Sequence, residues 1–159
     1  MEIIKQLYDI NRLFENVDDF VPAYESFLKV SNVELGYRGL EGRLNEYFED
    51  VRQTAICIAT RGQAGNGDIN FFMSGIKRVK SFMYQEKYQI EEAIKDASRA
   101  AYLASCFEKG VLAIEKYPND NPEVVLSMEI SDVLPTKLRK LRNVIPEAYY
   151  YWAKVDELL

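Results

Sequence analysis

Residues 90–114 read IEEAIKDASRAAYLASCFEKGVLAI. Within them Ala93, Ala97, Ala100, Ala104, Phe107, Val111 and Ile114 recur at steps of three and four, the period that lines one face of an α-helix. Ile90, Ile94, Ala101 and Leu103 widen the apolar surface. A face made of alanine lets neighbouring helices approach closely. The spacing therefore predicts the central, most enclosed helix of an all-α bundle.

The same period extends outward on both sides. Upstream, Ile69, Phe72, Ile76, Val79 and Met83 mark a helix that Asp68 is placed to cap, with a bend expected over Gln85–Gln89. RGQAGNGD (61–68) separates it from a long helix carrying Leu40, Leu44, Tyr47, Val51, Ala55 and Ile58 and ending near Arg61. SNVELGYRGLEG (31–42), with Gly36, Gly39 and Gly42, predicts a loop running into that helix. At the start of the chain, Ile3, Leu7, Ile10 and Phe14 step along one helix face. Asn16–Asp19 break that helix, Asp18 or Asp19 caps the next, and Pro22 suits a first turn, after which Val21, Tyr24 and Leu28 keep the phase.

Downstream, YPNDNP (117–122) is a loop, with Asn121 and Pro122 as a cap and first-turn pair. Residues 123–130, EVVLSMEI, alternate like a half-buried strand, yet Leu126, Ile130 and Val133 also fit a helix. A helix is expected, because a lone strand has no partner. The picture is one domain, 1–159, of about six or seven helices.

Composition narrows the function classes. The chain is 48% hydrophobic and 28% charged, which suits a packed globule. No apolar run approaches the ~20 residues that span a bilayer, and the acidic amphipathic start MEIIKQLYDINRLFE is unlike a signal or transit peptide. Cys57 and Cys106 stand far apart among apolar neighbours, as reduced thiols of a cytoplasmic protein do. Histidine is absent, which excludes Ser-His-Asp and Cys-His catalysis, Cys₂His₂ zinc sites and Glu-x-x-His di-iron bundles. No cofactor is expected and the protein reads as a non-enzyme.

Several clusters bear on binding. The glycine loop at 61–68 follows a helix and lacks a Gly-Lys-Ser/Thr, so it reads as a flexible connector and not as a phosphate cradle. Glu46 and Asp50, with Glu49, and Glu92 and Asp96, with Glu91, are spaced for paired carboxylates but read as solvated helix faces. Charge is uneven: residues 1–60 carry 6 basic and 11 acidic side chains, and residues 61–117 carry 9 and 7. Lys77, Arg78 and Lys80 form one basic cluster, and Lys137, Arg139 and Lys140 another. A pI near 4.9 lies far from the profile of a dedicated nucleic-acid binder.

The last 24 residues, TKLRKLRNVIPEAYYYWAKVDELL (136–159), carry a heptad seam of Leu138, Leu141, Ile145, Ala148, Trp152, Val155 and Leu159, with Pro146 kinking or restarting the helix. Tyr149 flanks that seam, Tyr150 and Tyr151 turn away from it, and Arg142 lies seven residues before Tyr149. An exposed Tyr-Arg edge is what interaction hot spots favour. The expected function is thus a protein–protein interaction module (adaptor, inhibitor, immunity-type partner or small subunit of a complex) binding through Arg142, Tyr149, Tyr150 and Tyr151, with self-association through the C-terminal helix open to it. The alternative is a nucleic-acid-associated subunit of a nucleoprotein complex, with Lys77, Arg78, Lys80, Arg139 and Lys140 on phosphates.

Overall fold

The computed structural model describes residues 2–80 and 88–159, so Met83 and the first three residues of the bend expected at 85–89 lie outside it. Among the described residues there are seven α-helices and no strand. In chain order they are α1 (Glu2–Asn16), α2 (Val21–Tyr37), α3 (Leu44–Ala59), α4 (Ile69–Lys80), α5 (Ile90–Lys109), α6 (Leu141–Val144) and α7 (Pro146–Leu158). Short 3-10 turns occupy Pro122–Leu126 and Thr136–Lys140.

The alanine face makes α5 the axis of the bundle. Ala93, Ala97, Ala100, Ala101 and Ala104 are buried, and α1, α3, α4 and α7 all pack against this helix. Both ends are defined by local chemistry. Gln89 and Glu92 form a reciprocal capping box at the N-terminus. At the other end Gly110 adopts a left-handed conformation (φ 67°), so that the Val111 amide donates to the Cys106 carbonyl (2.8 Å) and the Gly110 amide to Phe107 (3.2 Å). That stop precedes Val111 and Ile114, which leave the expected stripe and belong to the following segment.

Two other faces are rotated from the expected ones, and α2 runs further than expected. In α1 the buried residues are Ile4, Leu7, Asn11 and Phe14, while Ile3 and Ile10 face outward. Asn11 belongs to the inner face because its side-chain oxygen accepts from Arg99 of α5. In α3 Phe48 points inward and Tyr47 outward, and Phe48 packs on Phe27 with ring centroids 5.5 Å apart. The helix α2 begins where Asp19 Oδ1 accepts from the Val21 amide (3.0 Å) and continues through Gly36, so the loop expected at 31–42 starts only at Arg38. Positive φ is confined there to Gly39 and Gly42.

Two connections differ from expectation. Residues 60–68 dock on α3 and are not a free connector: the Asn66 amide donates to the Gln53 carbonyl (3.1 Å), and Thr60 Oγ1 accepts from the Ala64 amide (3.0 Å). Asp68 caps α4 as the spacing predicts, accepting from the Asn70 amide at 2.8 Å. At Gly65, φ is +78° and a Cβ would lie 2.4 Å from the Gln53 carbonyl oxygen. Gly65→Ala should therefore cost at least about 2 kcal/mol in urea unfolding. Gly39→Ala, with φ +65° but open space around it, should cost about 1 kcal/mol.

The second connection is the stretch from 110 to 135. It is neither the expected helix nor a strand beyond its 3-10 turn, and it wraps α7 as an irregular strap. Val125, Ile130 and Leu134 anchor the strap in the core. With α5 on one side and the strap on the other, α7 is enclosed. Pro146 is its first residue and restarts the chain after Ile145 (φ −140°, ψ 76°). Of the apolar seam, Leu138, Leu141, Ile145, Ala148, Trp152 and Val155 are buried within the chain itself, while its last member, Leu159, is 47% exposed. Among the described residues no helix is long and apolar enough to cross a membrane.

Candidate functional site

The expected tyrosine edge is not a surface. Tyr149, Tyr150 and Tyr151 are 0%, 4% and 1% exposed. Three consecutive side chains cannot share one face of a helix, so their burial requires packing on more than one side, and the strap supplies it. Arg142 does meet Tyr149, as the spacing of seven suggests. Its guanidinium carbon lies 4.8 Å from the Tyr149 ring centroid and Nη2 donates to the Tyr149 hydroxyl and to the Met128 carbonyl.

Tyr149 and Tyr151, with Tyr102 of α5, satisfy backbone groups of a segment that has no ladder of its own. The Tyr117 amide donates to the Tyr151 hydroxyl (2.9 Å) and the Glu115 amide to the Tyr102 hydroxyl (3.2 Å). The Tyr149 hydroxyl donates to the Met128 carbonyl (3.0 Å). Asp156 accepts from the amide and hydroxyl of Ser131 at 2.8 and 2.7 Å. Each aromatic body fills the core, and the Tyr102, Tyr149 and Tyr151 hydroxyls each pair with a backbone group of the strap, while the Tyr150 hydroxyl reaches the Glu115 carboxylate at 3.5 Å. Burial pushes the Tyr150 hydroxyl up to about 12 and raises that of Tyr151, so both stay protonated at neutral pH.

The basic residues are divided between separate elements. Lys77, Arg78 and Lys80 stand on the outer side of α4, which packs on α1, α3 and α5. Arg139 and Lys140 stand on the 3-10 turn at Thr136–Lys140, which packs on α6 and α7. Arg139 is engaged, donating to the Ile130 carbonyl (3.0 Å) and to Asp132 (2.6 Å). Lys77, Lys80 and Lys140 keep exposed side chains.

One carboxylate expected on a solvated face is buried. Asp96, 4% exposed, accepts from the Tyr88 hydroxyl at 2.7 Å beside a small cleft of about 200 Å³ between α1 and α5. Burial pushes its carboxyl up to about 7, against the opposing pull of Tyr88, Arg99 and Lys95. Arg99 is held by Asn11, Glu15 and Glu147, so the charged groups of this cleft are largely committed to one another.

An accessible apolar feature lies elsewhere, at α2. This helix contributes no buried residue, although Ala23, Tyr24 and Phe27 rest on the core and Tyr24 packs on Phe107 at 5.1 Å. Its outer half carries Val30 and Val33, 62% and 56% exposed, and Tyr37, 85% exposed. Between this half and the start of α3 runs a groove of about 610 Å³. Phe27, Val30, Leu35, Leu40, Leu44 and Tyr47 supply its apolar lining, with Glu34, Arg38, Arg43, Glu46 and Asp50 around them. The signal for this surface is present in the sequence, since Val30, Val33 and Tyr37 step by three and four, but assigning 31–42 to a loop conceals it.

No protein-family model, no curated protein and no solved structure matches the chain.

Proposed function

We propose that the chain is a non-catalytic cytoplasmic protein-binding module, of the adaptor, inhibitor, immunity-type or small-subunit kind, and that its contact surface is the α2–α3 groove with the outer face of α2. The observation that carries this reading is a whole helix with no buried residue that still displays Val30, Val33 and Tyr37 beside an apolar groove. Large apolar side chains grouped on one exposed element are the usual mark of an interaction site. The absence of histidine, and the mutual pairing of the groups around Asp96, support a binding role over a catalytic one. The C-terminal tyrosines, the first candidates for the contact, support the fold instead.

The test is binding to the partner purified from the native host, measured by calorimetry. Val30→Asp and Tyr37→Ala should each weaken binding by roughly tenfold or more while leaving the melting temperature unchanged. Val144→Asp, at a residue 68% exposed beside Arg142, should bind as the parent does. The reverse pattern would return the contact to the C-terminal edge and sink the groove.

A further inference from the structure

We infer that the occupant of the α2–α3 groove is an amphipathic helix of a partner protein whose polar flank is basic. This rests on the reading of the groove as the contact surface and goes on to its ligand.

Shape argues for a helix. Among the described residues there is no strand and hence no sheet edge that an extended peptide could join. The walls are themselves helices joined by the short turn at 38–43. The α2 wall, residues 27–38, is about 17 Å long, some three helical turns. Apolar residues recur along both walls, Phe27 and Val30 on one and Leu44 and Tyr47 on the other. A helix laid along them offers anchors at i, i+3 or i+4 and i+7, which is how helices fill such clefts.

Charge argues for the basic flank. The cations around the groove are already engaged by acids of the same rim: Arg38 lies 3.9 Å from Glu34, and Arg43 is paired with Glu46. Of the acids lining the groove, Asp50 is left without an ion-pair partner among the described residues; Glu41, in the turn at 38–43, is unpaired as well but lies outside the lining. Among the described residues no lysine lines the groove. What faces an incoming partner is therefore net negative, consistent with 11 acidic against 6 basic side chains over residues 1–60. Opposite charge on the ligand raises the association rate and fixes its register, while a like charge is rejected.

The probes are two labelled synthetic peptides of about 18 residues. Both have one leucine face; the polar face is lysine in one and glutamate in the other. Binding is read by fluorescence anisotropy at physiological salt. The lysine peptide should bind at least about tenfold more tightly. Val30→Asp should abolish its binding, and the double variant Asp50→Lys, Glu41→Lys should erase the preference. If the two peptides bind equally and Val30→Asp removes both, the basic ligand is wrong and the groove stands. If binding ignores Val30→Asp, both readings fall. Failure of the lysine peptide to bind overturns the basic helix. A dimer seen by light scattering and dissolved by Val30→Asp also overturns it, making a second copy of this chain the occupant.

Discussion

Tyr151→Ala is expected to destabilise the protein by about 4 kcal/mol in urea unfolding, within the range for emptying a large aromatic site in a core. The Tyr151 ring sits edge-on to Phe14 at 5.5 Å, against Tyr102 at 5.7 Å and Tyr150 at 5.3 Å, with the Arg99 guanidinium 5.8 Å from its centroid. Removing it opens a cavity where α1, α5 and α7 meet. It also strips the Tyr117 amide of its acceptor. Tyr151→Phe separates the two effects. It keeps the ring and deletes only the hydroxyl, so it should cost about 1–2 kcal/mol. Hydrogen exchange at the Tyr117 amide should then speed up while α5 amides stay protected. An interface tyrosine would behave otherwise, with alanine weakening a partner and sparing the melt. A loss below about 1 kcal/mol for Tyr151→Ala would contradict the buried position and restore the surface assignment.

The contrast shows which features are legible in the chain. Helices packed through one face leave a periodic trace, and α5 is readable because alanine at every third or fourth place has a clear meaning for packing. Asp68 and Pro146 are readable because capping and proline chemistry are local. The rest depends on distant partners. In α1 both Ile3–Ile10 and Ile4–Phe14 are plausible stripes, and the choice is made by Asn11 meeting Arg99, far along the chain. In α7 the periodicity isolates the seam facing α5 but says nothing of the other sides. Those are covered by the irregular strap, whose contacts have no period to detect. Gly36 sits within a helix while Gly39 and Gly42 need positive φ, a distinction that residue type alone does not make. That ambiguity hid the exposed face of α2. The buried Asp96 was hidden for a similar reason: its neighbours Glu91 and Glu92 suggest a wet face, and only the approach of Tyr88 and α1 turns it inward.

Among the carboxylates of the described residues, Asp96 is the one whose replacement by asparagine should change the pH dependence of stability most. In the unfolded chain an aspartate releases its proton near 3.9. In the fold burial holds the Asp96 proton to about 7. Between those limits the native state binds more protons than the unfolded state, so stability falls as pH rises through the window. Three units correspond to about 4 kcal/mol lost between pH 4 and pH 8. Glu15 of α1 adds to the upward push, while Tyr88, Arg99 and Lys95 oppose it. Tyr88, whose own hydroxyl is raised by burial and by Asp96, keeps its proton throughout and remains the donor. Asparagine offers the same carbonyl acceptor to that hydroxyl and has no proton to lose. The variant should therefore gain on the parent steadily from pH 5 to pH 8, whatever constant offset its extra amide hydrogens introduce. Urea midpoints across this range decide the matter. A difference between parent and variant that stays level over the window would mean that Asp96 ionises in the ordinary carboxylate range, with Arg99 and Lys95 outweighing its burial.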